Sequence, residues 1–271
     1  MAEGVAEGSD DVLQLRTRDV DGMPVTLAFT DEGFGGVPIL LVHGMRCDHR
    51  HMEPLAAHLR LRNRVVSVDL RGHGMSDKPM TAYTNEELTD DLVWLCAELK
   101  LDRPIIIGHS FGGSLALSLA VRQPEVMRAI VLLDSGVRTT AEKEAEMGAV
   151  IAGGSTGGEA SAQFFANRLF GPDDDPALKA DVLSVMTMPT PLYISEGLGR
   201  AVLGFDSGTA AVECTVPALF ILADRPFSTP EMIARLGPNW RVGQVVGAGH
   251  FVQVFAADQV NAMIEQFIRL L

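Results

Sequence analysis

The chain has 271 residues, is 47% hydrophobic and 21% charged, and carries a formal net charge of −13. This suits one domain with a large core, or a core with an insertion, and excludes wholesale disorder. The acidic balance repels phosphates and anionic lipid, so no nucleic acid or membrane partner is expected, and the apolar runs fall short of the roughly 20 residues that cross a bilayer.

The N-terminal stretch "MAEGVAEGSDD" is acidic, with no basic region and no apolar run behind it, and reads as a frayed tail rather than a signal peptide. Cys47, Cys96 and Cys214 are odd in number and without metal-ligand spacing, so they read as free thiols in a reducing compartment. The expected location is the cytoplasm.

"VLQLRTRDVDGMPVTLAFT" is two extended runs joined at Asp21-Gly22, a hairpin signal. Six apolar runs follow: "VPILLVHG", "RVVSVDLRGHG", "RPIIIGHS", "MRAIVLLDSG", "VPALFILAD" and "WRVGQVVGAGH". Apolar runs without alternation are what strands buried on both faces of a parallel sheet look like. Helical patterns separate them. "TNEELTDDLVWLCAELK" opens with a capping box at Thr84 and Glu87 and sets Leu88, Leu92, Leu95 and Leu99 on one face. "FGGSLALSLAVRQ" and "ADQVNAMIEQFIRLL" are further helices. The alternation predicts an α/β fold with a mostly parallel central sheet flanked by helices and an antiparallel hairpin at one edge.

Residues 136–215 break the rhythm. They contain "GGSTGG", the acidic loop "GPDDDP" and helical pieces such as "SAQFFANRLF" and "DVLSVM", but no buried strand, and they are too long for a simple connection. The expected organisation is a core of residues 1–135 and 216–271 with a helical cap or lid over 136–215. Phe164, Phe165, Phe170, Met186 and Met188 are expected in the cap's own core, with one or two lining a pocket.

"GHSFGG", at 108–113, places glycines two residues before and two after Ser110, between an apolar run and a helix. A glycine-rich packing turn would look like this. So would a nucleophile elbow, in which the tight turn projects the serine and the helix N-terminus favours negative charge beside it. A serine hydroxyl needs a neighbouring base. Of the seven histidines, His250 in "VVGAGHFVQV" follows the last expected strand and sits in a glycine-rich loop that can reach the same sheet edge. The base in turn needs a carboxylate to orient it, and two end strands: Asp134 in "IVLLDSG" and Asp224 in "FILADRP".

"LLVHGM" at 40–45, "VDLRGHGMSDKP" at 68–79, "GHSFGG" and "GAGHF" at 247–251 occur together in an order and spacing that resemble the α/β-hydrolase fold superfamily, in its serine-hydrolase branch. The resemblance spans most of the chain and is specific for fold and nucleophile, not for substrate. It implies a cap inserted after the sixth strand. The family's usual acid follows the seventh strand in a Gly-x-x-Asp-like stretch, where "LADRPF" has Pro226 in the aspartate's place and Asp224 two positions early. A minority of the family carries the acid after the sixth strand, about two dozen residues beyond the serine, and Asp134 matches that placement. The resemblance therefore implies Ser110 as nucleophile, His250 as base and Asp134 as acid, with Asp224 second. It also implies an oxyanion hole from the backbone N–H groups of Met45 and Phe111.

Other signals are read as structural. Asp69, Arg71, His73 and Ser76 belong to a turn that ties loops together in the family, and His109 is expected on the opposite side of the elbow. His49 and His51 sit two apart near a helix start and do not face each other. No metal site, phosphate loop or cofactor is expected. The expected reaction is hydrolysis of a carboxylic ester, lactone or amide of a small, largely apolar substrate through an acyl-enzyme. Two alternatives remain: a cofactor-free oxygenase or carbon–carbon bond hydrolase on the same scaffold, and a non-catalytic ligand receptor of the same fold.

Overall fold

The computed structural model describes residues 12–138, 141 and 168–271. The expected frayed tail, "GGSTGG", Phe164 and Phe165 lie outside them, as does most of "SAQFFANRLF", of which Arg168 and Leu169 are helical.

Strands β1 (Gln14–Val20) and β2 (Met23–Glu32) form the hairpin. Asp21 and Gly22 both have positive φ, 53° and 81°, the backbone of a type I′ turn, and the Asp19 carboxylate accepts the Gly22 N–H at 2.8 Å. The six apolar runs become β3 (Ile39–Val42), β4 (Val65–Val68), β5 (Ile105–His109), β6 (Ala129–Leu133), β7 (Ala218–Leu222) and β8 (Trp240–Gln244). The sheet order is β1-β2-β4-β3-β5-β6-β7-β8, antiparallel at β1–β2 and β2–β4 and parallel elsewhere.

Five of those six runs are buried on both faces. In β5 and β6, Ile106, Ile130 and Leu132 join one apolar cluster, while Ile105, Ile107, Val131 and Leu133 join the other. β8 corrects the expectation. Among the described residues it is an edge strand, with Arg241, Val242 and Gln244 exposed.

Helices α1 (Glu53–Leu59), α2 (Asn85–Glu98) and α3 (Phe111–Arg122) connect the early strands. The capping box at the start of α2 is formed, with Thr84 Oγ1 accepting from the Glu87 N–H and Glu87 accepting from the Thr84 N–H, both at 3.2 Å. Leu88, Leu92, Leu95 and Leu99 are all buried. Between β6 and β7 lie α4 (Pro176–Met186), α5 (Leu192–Gly204) and α6 (Ser207–Glu213). α5 packs on the core at Gly197, where a Cβ would stand 2.8 Å from Tyr83 Cβ. The short α7 (Pro230–Ile233) and α8 (Val252–Phe255) precede α9 (Ala257–Ile268), whose apolar face joins α1 in the second cluster.

Candidate active site

In a doubly wound sheet the ligand crevice opens at the carboxyl ends of the strands where the strand order reverses. Here that point lies between β3 and β5, because the chain moves outward from β3 to β4 on one side and from β5 to β8 on the other. Ser110 immediately follows β5, and the Gly44-Met45 peptide follows β3. A Cβ placed on Gly44 would lie 3.3 Å from Ser110 Cβ, so the two strand ends converge.

Ser110 adopts φ 52°, ψ −114°, a conformation that non-glycine residues avoid and that persists only where the surroundings enforce it. Its N–H donates to the Leu133 carbonyl at 3.0 Å, pinning the bend to the end of β6. The flanking glycines are required by contact. A Cβ at Gly108 would meet the Gly112 backbone at 2.3 Å, and one at Gly113 would sit 1.9 Å from Ser135 Oγ. The packing-turn and nucleophile readings of "GHSFGG" are therefore compatible: tight packing holds the serine in its strained bend.

His250 lies in the loop between β8 and α8. Its Nδ1 donates to Asp134 Oδ2 at 2.7 Å, which leaves Nε2 with the lone pair that a base needs. Asp134 directly follows β6, is fully buried, has φ 42°, and accepts the Ala223 N–H on Oδ1 at 3.1 Å. Asp224 is exposed, and no side-chain contact joins it to His250. Ser110 Oγ makes no hydrogen bond among the described residues, to His250 or to any other group. Such bonds are often long before substrate binds.

The His250 ring is framed by two others. Phe227 packs edge-on at 4.7 Å between centroids, and His109 lies at 4.6 Å. His109 does not simply turn away from the site as expected: its Nε2 donates to the His250 carbonyl at 3.0 Å, holding the loop from below. Burial pushes the His109 imidazole well below the usual histidine range, with nearby His250 adding to the effect, so it is neutral and carries its proton on Nε2.

The two expected oxyanion donors are backbone groups. Phe111 N–H opens α3 and has no carbonyl four residues back inside the helix, and Met45 N–H has no acceptor among the described residues. His43 shapes the Met45 loop. It is fully buried, donates from Nδ1 to the Gly44 carbonyl at 2.7 Å and accepts the Leu70 N–H on Nε2 at 3.0 Å. That pattern needs a neutral ring, and burial lowers its pKa accordingly.

One participant escaped the sequence reading. The Asp174 carboxylate, buried in "GPDDDP", accepts the Gly171 N–H at 2.8 Å and the Gly249 N–H at 3.1 Å. The His250 N–H donates to the Leu169 carbonyl at 2.8 Å. Residues 169–174 therefore hold the histidine loop. Nothing in a run of three aspartates marks the middle one.

The residues read as structural form a separate knot. Asp69 accepts from the backbone N–H of His49, from His49 Nδ1 and from the Met75 N–H at 2.7–2.8 Å. Arg71 donates to both oxygens of Asp91, at 2.6 and 2.8 Å. The three cysteines are buried thiols, and burial raises Cys96 to about 12 and Cys214 to about 11. Among the described residues no His, Cys, Asp and Glu group could hold a metal, and no helix is long and apolar enough to cross a membrane.

A strained serine after a central parallel strand, with a histidine–carboxylate pair in the loops after later strands, fits the α/β-hydrolase class. The sequence agrees over most of its length: the chain belongs to the Alpha/beta hydrolase family, whose model matches residues 39–263. It is 27% identical to the 2-(acetamidomethylene)succinate hydrolase of Mesorhizobium japonicum, over 93% of this chain and 95% of that protein. It is 29% identical to the dihydrolipoyllysine-residue acetyltransferase component of the acetoin cleaving system of Pseudomonas putida, over 99% of this chain and 74% of that protein. Among solved structures it resembles the enol-lactonase of Burkholderia xenovorans, with a TM-score of 0.81 at 25% identity, covering 94% of this chain and 100% of that one.

Proposed function

We propose that this chain is a serine hydrolase that cleaves a carboxylic ester, lactone or amide of a small, largely apolar substrate through an acyl-enzyme. The observation that carries the reading is the 2.7 Å bond from His250 Nδ1 to the buried Asp134, together with a serine held at φ 52° after β5. Ser110 Oγ attacks the carbonyl carbon and His250 Nε2 takes the hydroxyl proton. The carbonyl oxygen, now negative, accepts from the Met45 and Phe111 N–H groups. Collapse expels the leaving group, which receives the proton from His250. Water then loses a proton to the same nitrogen and attacks the acyl carbon, and the departing Ser110 oxygen takes that proton back from His250 as the acid is released. Asp134 orients the ring and stabilises the imidazolium. Likeness to proteins named as a hydrolase of an acetamido compound and as an enol-lactonase supports acyl chemistry. In this reading residues 136–215 cover the site, no cofactor takes part, and the setting is cytoplasmic.

The test is a serine-directed phosphonate followed by intact mass, beside a p-nitrophenyl acetate burst. The parent chain should gain one phosphonyl group and show a burst, and Ser110→Ala should show neither, with kcat down by about 10³-fold or more. A labelled Ser110→Ala chain, or an unlabelled parent, would overturn the assignment.

A further inference from the structure

Arg46 stands one residue beyond the proposed oxyanion donor Met45. Its φ is 61°, a left-handed conformation that a side chain as large as arginine adopts only under constraint. The side chain crosses to the end of α4, where Nε donates to the Met186 carbonyl at 2.6 Å and Nη2 to the Met188 carbonyl at 3.0 Å. These two bonds use the side edge of the planar guanidinium. The end fork, made by Nη1 and the second hydrogen of Nη2, makes no bond among the described residues, and it is the edge that binds a carboxylate through two parallel hydrogen bonds.

Many of the arginines that are at least partly buried meet an acid. Arg18, Arg50, Arg60, Arg64, Arg71 and Arg122 each meet an aspartate or glutamate within 3.2 Å. Arg46 is half-buried, and among the described residues no carboxylate pairs with it. Burial lowers its pKa from the usual guanidinium value, with no carboxylate among the causes, yet the group stays charged at neutral pH. A half-buried guanidinium bonded only to carbonyls keeps its charge available to an anionic ligand. On a chain of net charge −13, an anionic substrate needs such a local cation to approach the site.

We infer that Arg46 binds a carboxylate on the substrate, and that the chain acts on small acyl compounds carrying one such group at the end remote from the scissile carbonyl. The inference rests on the acyl-transfer reading above and names its substrate class. The guanidinium is a specificity and positioning group: it fixes the acyl chain relative to the Met45 and Phe111 N–H groups.

The contacts to Met186 and Met188 would serve equally as a plain strut between the oxyanion loop and α4. A strut would affect all substrates alike, so the informative quantity is a ratio. Mono-p-nitrophenyl adipate is compared with p-nitrophenyl 5-carbamoylpentanoate, which is neutral and of nearly the same shape. In the parent chain kcat/KM should favour the carboxylate by about 10–100-fold, the range for a charge-assisted pair. Arg46→Gln should bring the ratio towards one, chiefly through KM for the adipate. Arg46→Lys should fall between, since the ammonium keeps the charge and loses the fork. A parent ratio of one or less overturns the proposal, as does a ratio that survives in Arg46→Gln. If that variant fails to fold, an unchanged ratio in Arg46→Lys overturns it. Ser110→Ala is run beside these. Parent-like rates in that variant sink the acyl-enzyme reading, whereas the ratio speaks to Arg46 alone.

Discussion

Two aspartates at carboxyl ends of central strands each hold a histidine through Nδ1. Asp134 meets His250 at 2.7 Å and Asp69 meets His49 at 2.8 Å, and both carboxylates are buried. What differs is the serine beside each. Ser76 Oγ donates to the Asp69 carbonyl at 2.6 Å and accepts the Ala28 N–H at 2.8 Å, so both its roles are filled. Ser110 Oγ makes no hydrogen bond among the described residues and sits on a strained backbone at the N-terminus of α3. A histidine–carboxylate pair is thus no mark of catalysis by itself. The distinguishing features are an uncommitted hydroxyl and the nearby backbone donors proposed to receive an oxyanion.

The two pairs should part most clearly under the same substitution. Asp134→Asn should lower kcat by about 10⁴-fold, because the amide no longer fixes the imidazole tautomer. Asp69→Asn should act on stability instead, by about 1–3 kcal/mol in urea unfolding, since a three-donor acceptor site is disrupted. Asp224→Asn should stay near the parent in both. If Asp224→Asn alone shows the large loss in kcat, Asp134 is not the acid.

A smaller effect sharpens the contrast from the side of the histidine loop. Asp174→Ala frees the N–H groups of Gly171 and Gly249, loosening the frame that sets His250. Steady-state kinetics should show kcat down by about 10–100-fold with the His250–Asp134 pair still present. An unchanged kcat would make Asp174 a simple loop staple.

The smallest effect is in pH. Burial holds His73 at about 3 and keeps His43 and His109 below 6.5. Below about pH 6.5 the unfolded chain binds protons that these folded sites refuse, so stability falls with acid, by up to about 1.4 kcal/mol per pH unit for each neutral ring. His49 runs the other way. Burial alone would lower its pKa, but the bond to Asp69 outweighs this and raises it. Its contribution is present below about pH 6.5 and is lost as pH rises through the raised value. Urea unfolding across pH should therefore show a maximum near pH 6.5, and a flat profile down to about pH 4.5 would contradict the neutral assignments.

What the sequence disclosed was local. Asp21-Gly22 states its turn because only certain residues tolerate two positive φ angles in succession, and Thr84 and Glu87 state a cap because they meet within one helical turn. The elbow was legible for the same reason, its glycines and serine lying within five residues. What needed the fold was anything decided by distant partners. The exposure of β8 depends on its place at the edge of the sheet among the described residues. Asp134 and Asp224 both end strands, and the sequence around each does not say which turns inward to residue 250. Asp174 and Arg46 gain their meaning from Gly249 and from the carbonyls of Met186 and Met188, 75 and about 140 residues away.

The missing methyl at Gly113 has a further consequence. The helix that carries the serine and the loop that carries the acid interlock there, with no room even for an alanine before Ser135 is displaced. The proposed nucleophile and acid are consequently one mechanical unit. Substitution in the first turn of α3 would therefore shift residue 134 along with 110.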